Sequence, residues 1–261
     1  MGEFKSKVAL ITGAGRGIGF ELSKLLASEG ASVVLTDVNE AWGKNAVKSI
    51  NDKNSGADIR FKYLDVTKPE SCNQVVDEIV KEFGRLDLLG HCAGVLRTAP
   101  IIDTPEKDIH FQIDVNLKGT LFILQPVGRQ MLLQKSGKIC AIASQLGKVA
   151  APTLAAYSAS KFGVIGVVQA AAKEWGRQGV YVNCVCPGAV DTEMLRTNCK
   201  EASEVKGTSL EEQIRRNEEM SILGRLLPPE NIVKTMLFLL SDASSEIMGQ
   251  AVNCCGGRVF H

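Results

Sequence analysis

Tyr157 and Lys161 stand four residues apart in a segment, 155–176, that reads as a helix. Both side chains therefore share one helical face. A phenol beside an ammonium is suited to giving or taking a proton, because the positive charge favours the phenolate. Packing alone accounts for a buried tyrosine, but it gives the lysine no reason to point inward. Ser144 lies 13 residues before Tyr157 and directly follows the apolar run 138–143. A hydroxyl there can hold the oxygen of an alcohol or carbonyl whose proton Tyr157 handles. The chemistry of the three together is acid–base work on a carbon–oxygen group.

A second constellation supplies the other half of a redox reaction. The apolar run Val8-Ala9-Leu10-Ile11 leads into Thr12-Gly13-Ala14-Gly15-Arg16-Gly17-Ile18-Gly19 and then Phe20-Glu21-Leu22. Strand, glycine-rich turn and helix start fall in the order that a dinucleotide pyrophosphate requires. The glycines permit a tight turn and let phosphate oxygens approach the amides of the helix N-terminus. Three residues separate Gly13 from Gly17, so the spacing departs from the common dinucleotide fingerprint. Asp37 ends the next apolar run, 18 residues after Gly19. A carboxylate there can accept both hydroxyls of an adenosine ribose and repels a 2′-phosphate, which favours NAD over NADP. It can also cap the turn at Asn39-Glu40, and the Arg16 guanidinium can still meet a phosphate. A positive nicotinamide ring near Tyr157 would help to bring a phenol that titrates at about 10 toward the working range.

These groups need a frame that converges on one edge. Apolar, β-branched runs at 7–12, 31–37, 59–64, 86–91, 138–143, 180–185 and 251–254 read as strands. Amphipathic or charged segments at 17–29, 40–51, 69–83, 105–134, 155–176 and 229–241 read as helices between them. The alternation predicts an α/β fold, a single-domain Rossmann-type doubly wound parallel sheet with helices on both faces. Neither a linker nor an internal repeat divides the 261 residues, and one domain of this type holds them all. The segment 191–227 is charged and less periodic, and it is expected to be a substrate lid within that domain.

Composition excludes several classes. Thirty basic and 29 acidic residues leave a net charge of +1, which offers no footprint for nucleic acid or an anionic membrane. No apolar run approaches the roughly 20 residues that span a bilayer. The first strand begins by about residue 7 and leaves no room for a signal peptide. Met1-Gly2 with Ser6 matches a myristoylation pattern formally. Because those residues lead straight into a sheet, the match is read as incidental. The eight cysteines are not spaced with histidines as in zinc sites, so no metal is expected. Reduced thiols in a cytoplasmic protein are the expectation.

The chain resembles the classical short-chain dehydrogenase/reductase family over essentially its whole length. The family's glycine motif matches Thr12 to Gly19, and its catalytic serine, tyrosine and lysine match Ser144, Tyr157 and Lys161. Its catalytic asparagine falls on Asn116, which the resemblance implies distorts its helix and holds a lysine-linked water through its carbonyl. The resemblance places the adenine contact on Asp65-Val66 and the nicotinamide loop on Pro187-Gly188, with Val190 and Thr192 beyond it. Cys92-Ala93-Gly94 occupy the small surface beside the adenosine ribose. One departure is His91-Cys92-Ala93-Gly94, where the family has Asn-Asn-Ala-Gly. There His91 is expected to take over hydrogen bonds within the sheet.

The resemblance implies hydride transfer between a nicotinamide cofactor, here NAD rather than NADP, and a small alcohol or ketone. Val95, Leu96, Gln145, Leu146, Leu154 and Met194 are expected to wall the substrate pocket beside Ser144 and Tyr157. A mostly apolar wall with one amide suits a secondary alcohol or ketone of modest size, and oxidation of a secondary alcohol or polyol is the first reading. Arg97 either selects an acid or faces solvent. A reductase of carbonyl or 3-ketoacyl groups is the second reading, and a weakly catalytic dinucleotide sensor the third. Retention of Asn116, Ser144, Tyr157 and Lys161 argues against the sensor. A homotetramer is implied, packed through the small-residue face of Phe162, Gly163, Gly166, Val167 and Ala170.

Overall fold

The computed structural model of the protein describes residues 4–261, so Met1 and Gly2 of the myristoylation pattern lie outside the described residues. Among the described residues seven strands form one sheet: β1 (Val8–Thr12), β2 (Ser32–Asp37), β3 (Ile59–Tyr63), β4 (Leu88–His91), β5 (Gly137–Ile142), β6 (Val180–Pro187) and β7 (Ala251–Cys254). All pair in parallel, in the order β3-β2-β1-β4-β5-β6-β7. From β1 the chain winds outward to β3, then returns and starts again at β4. The crevice between β1 and β4, at their C-terminal ends, is where such a sheet receives a ligand.

Alternation along the strands builds two cores. Val8, Leu10 and Val34 point to one face, which is covered by α3 (Pro69–Phe83), α5 (Gly119–Gln134) and α6 (Ala155–Trp175). Ala9, Ile11, Val33 and Leu35 point to the other, against α1 (Gly17–Ser28), α2 (Glu40–Lys53) and α9 (Pro229–Leu240). Strands buried on both faces explain why these runs are continuously apolar rather than alternating.

The segment expected as one helix over 105–134 is a rod with a flaw. α4 (Glu106–Gln112) passes into one wide π-turn over Ile113–Lys118 before α5 continues. Periodicity does not register such a turn, because it inserts a residue without breaking the helical hydrogen bonding. The 191–227 segment also proves regular. It contains α7 (Glu193–Lys206), started by the Thr192 hydroxyl accepting from the Leu195 amide, and α8 (Leu210–Glu219), started in the same way by Ser209. α7 is fastened to the loop after β4. There Glu201 accepts from the Thr98 amide at 2.9 Å and Asn198 donates to the Thr98 hydroxyl at 2.6 Å. Among the described residues no helix is long and apolar enough to cross a membrane.

Candidate active site

The C-terminal ends of β1, β2, β4, β5 and β6 open into a cavity of ≈ 650 Å³, large enough for a dinucleotide portion together with a small substrate. Its wall contains Gly13, Arg16, Gly17, Ile18 and Gly19 from the first turn and Asp37 from β2. It also contains Asp65, Val66, Cys92, Ala93 and Gly94 from the next two loops. Pro187, Gly188, Val190 and Thr192 close the far side. Ser144, Tyr157, Lys161, Val95, Leu96 and Met194 stand at the same end as that loop.

The phosphate end follows from backbone geometry. Gly13 has φ +60°, and a Cβ there would lie 2.6 Å from the Ala93 Cα, so the turn touches the β4 loop directly. A Cβ on Gly19 would strike the Gly13 carbonyl at 2.5 Å. The first turn of α1 has neither a capping side chain nor an acidic residue. Its amides and the positive end of its dipole are left for an anion. This cradle fits a dinucleotide pyrophosphate. Further along, Asp37 accepts from the amides of Gly15 at 3.0 Å and Asn39 at 2.8 Å, so its carboxylate is fixed in orientation. It holds the turn and faces the cavity at once.

At the other end, the Ser144 hydroxyl accepts from the Leu146 amide at 3.0 Å and is hydrogen-bonded to the Tyr157 phenol. With a donor already on the serine oxygen, its own hydrogen is free to point at the phenolic oxygen. Lys161 donates to the Ile142 carbonyl at 2.9 Å, and its Nζ sits 5.8 Å from the centre of the Tyr157 ring. Burial dominates both titrations. It pushes Tyr157 up to about 12, against the lowering by Ser144, and pushes Lys161 down to about 8. The expectation that the ammonium brings the phenol down is therefore not met by the protein alone. Removal from water outweighs the hydrogen bond from Ser144.

Asn116 is fully buried behind the wall, within the π-turn. Its side chain grips the β4 loop: Oδ1 accepts from the Val95 amide at 2.8 Å and Nδ2 donates to the Val95 carbonyl at 2.9 Å. Nδ2 also donates to the Ser160 hydroxyl at 3.0 Å, and the Asn116 carbonyl accepts from the Thr120 hydroxyl at 2.6 Å. Three residues expected in the pocket stand outside the cavity wall. Gln145 is buried among its neighbours, and Leu146 and Leu154 are half-buried on the flanking segments. Arg97 also lies off the wall, beside Phe111 and Glu201. Residues that sequence reasoning passed over do line it, among them Trp42, Phe111, Asp114, Glu193 and Asn198. The signals available were weak, since a tryptophan one turn into α2 and a glutamate opening α7 look like ordinary surface positions.

Residues 7–203 match the family model for short chain dehydrogenases. The chain belongs to the short-chain dehydrogenase/reductase family. Membership makes it an NAD(P)-dependent oxidoreductase of the alcohol–ketone class. It is 35% identical over 255 residues to a 3-oxoacyl-(acyl-carrier-protein) reductase of Chlamydia muridarum, covering 97% of each chain. It is 37% identical over 251 residues to a D-threitol dehydrogenase of Mycolicibacterium smegmatis, covering 96% of this chain and 92% of that one. The solved structure of an NAD+-bound xylitol dehydrogenase superposes with a TM-score of 0.93 at 31% identity, covering 97% of this chain and 99% of that one. Family members of this fold thus include both polyol dehydrogenases and a ketoacyl reductase by name.

Proposed function

We propose that the protein oxidises a secondary alcohol or polyol to the ketone with NAD. The observation that carries this reading is the Asp37 carboxylate, oriented into the cavity by two backbone amides and, among the described residues, paired with no cation. A fixed negative charge at that point accepts ribose hydroxyls and opposes a 2′-phosphate. The names of the threitol and xylitol dehydrogenases point the same way.

In this scheme the glycine-rich turn and the start of α1 hold the pyrophosphate, Asp37 the adenosine ribose, and Lys161 the nicotinamide ribose. When bound, the dinucleotide supplies the hydride acceptor and a positive ring. Ser144 orients the substrate oxygen, and Tyr157 takes the hydroxyl proton from it. Asn116 pins the loop on which Val95 and Leu96 face the substrate. Segment 191–227 serves as the lid, with Met194 on the cavity wall.

A carbonyl or 3-ketoacyl reductase is the second reading, supported by the Chlamydia relative's name. The test is nicotinamide absorbance across polyols, hydroxy acids, cyclic alcohols and ketones, with each dinucleotide and in both directions. Turnover of polyols with NAD supports the proposal. A strict NADP requirement favours the reductase. Turnover undiminished in Tyr157→Phe would remove Tyr157 from the chemistry. Dinucleotide binding without turnover on any compound would leave a sensor. We further propose a cytoplasmic location and a homotetramer, the latter supported by an exposed stripe of Phe162, Gly166 and Ala170 along α6. Light scattering reads the mass directly.

A further inference from the structure

Among the described residues Arg16 has two partners, and Asp37 is neither of them. Its guanidinium lies 3.9 Å over the centre of the Trp42 ring and is ion-paired with Glu193, the first residue of α7. Arg16, Asp37, Trp42 and Glu193 all line the cavity. Asp37 and Trp42 are packed closely at its adenosine end, where a Cβ on Gly15 would meet the Trp42 Cβ at 2.8 Å and the Asp37 Oδ2 at 2.9 Å. Arg16 therefore stands one residue from the amide that orients Asp37, and yet no ion pair joins the two among the described residues. A guanidinium left loose at this place would have two effects. It would neutralise Asp37, and it would offer a fork of donors to a 2′-phosphate. A flat aromatic ring beneath it and a carboxylate from the opposite wall turn it toward α7 instead.

We propose that Trp42 and Glu193 are specificity-determining residues that hold Arg16 away from the ribose 2′ position, leaving Asp37 unopposed in excluding NADP. The proposal rests on the NAD reading of Asp37 given above. Both restraints are exposed, so each contributes modestly, and the discrimination they add is about 3- to 10-fold.

The test is calorimetric titration of the full chain with NAD and with NADP, which needs no substrate. Glu193→Gln removes the charge and keeps the size, and Trp42→Leu removes the ring. Each variant is expected to bind NADP about 3- to 10-fold tighter, with NAD affinity changed less than about twofold. In an Arg16→Ala background the Glu193→Gln gain should vanish. Unchanged or weakened NADP binding in Glu193→Gln overturns the proposal. So does a gain that persists without Arg16. Unfolding curves taken on the same samples separate a misfolded variant from a true negative, and Trp42→Leu gives an independent reading. Tighter NADP than NAD binding in the parent protein refutes the Asp37 reading, while the change caused by Glu193→Gln still judges this one.

Discussion

The Thr12 hydroxyl lies 2.8 Å from Nδ1 of His91, tying the last residue of β1 to the last residue of β4 beneath the cavity. The proton order of this contact can be deduced. Thr120 sits 2.6 Å from the Asn116 carbonyl, which only accepts, so the Thr120 hydroxyl donates there. His91 Nε2, 3.0 Å from that same hydroxyl oxygen, must then be the donor to it. Nδ1 is left with a lone pair that accepts from Thr12, whose oxygen in turn receives the amides of Cys92 and Ala93 at 3.2 Å each. One neutral tautomer satisfies every group in the chain. Burial, with a smaller effect from Lys161, holds His91 down to about 3 and so keeps it neutral.

That histidine makes stability depend on acid. The folded protein keeps His91 unprotonated down to about pH 3, whereas an unfolded chain protonates it near its ordinary value of 6.5. Its contribution is complete above pH 6.5 and is lost as pH falls toward 3, by about 1.4 kcal/mol per unit. His91→Asn retains one donor and one acceptor but does not titrate. Urea unfolding of this variant between about pH 4 and 7 should show a flatter acid limb. His91→Leu, which strands Thr12 and Thr120, should lose about 1–3 kcal/mol at every pH. An acid limb identical in the parent and in His91→Asn would mean that another group titrates.

Lys161 carries the opposite kind of strain. It titrates at about 8 in the fold and at 10.5 when free. Below pH 8 both states are protonated and the fold bears the penalty of a buried charge. As pH rises from 8 to 10.5 the folded protein sheds the proton first, and the penalty fades. Lys161→Met should therefore be more stable than the parent below pH 8, by on the order of 3 kcal/mol, with the gain absent above 10.5. It should also be inactive. Thermal unfolding and turnover on the same preparation check both halves, and a less stable Lys161→Met would show that the ammonium is a structural prop.

The strands, the parallel sheet with helices on both faces and the convergence of the site at the strand ends were legible because strands buried on both faces leave uninterrupted apolar runs. The glycine turn was legible because backbone contact such as Gly13 against Ala93 leaves a mark in residue type. The π-turn at Asn116 left no mark in the periodicity of 105–134 and was expected only through the family resemblance, which implied a distorted helix there. The Arg16–Trp42–Glu193 contact was not legible, since its members are separated by 26 and 151 residues and meet only through the winding of the sheet. The burial that pushes Tyr157 up was not legible either, because spacing reveals a neighbouring charge but not the depth of burial.

Gly13 offers a sharp test of the cradle. Alanine there must adopt a φ of +60°, a strain of about 1–2 kcal/mol, and its Cβ would press on backbone atoms of Ala93 that have no rotamer to yield. Gly13→Ala should lower the unfolding temperature and weaken dinucleotide binding at least about tenfold, with both effects in one variant. Normal dinucleotide affinity in a destabilised Gly13→Ala would detach the turn from the phosphate site.

The pH profile of turnover tests how Ser144 and Tyr157 act together. A phenol pushed up to about 12 by burial is protonated at neutrality, and the Ser144 hydrogen bond is the contact that lowers it. Alcohol oxidation needs the phenolate, so its rate should climb with pH, while ketone reduction, which needs the phenol, should fall. A positive ring, present when the oxidised dinucleotide is bound, would pull the oxidation limb toward neutrality without reversing it. Ser144→Ala removes the hydrogen bond to the phenolate, worth about 1.5–3 kcal/mol to a charged acceptor, and so should move the oxidation limb about one to two units more alkaline. A loss of rate with the limb in place would mean that Ser144 only positions substrate. A flat profile in the parent protein, under conditions where the chemical step is rate-limiting, would remove Tyr157 as the group that takes the proton.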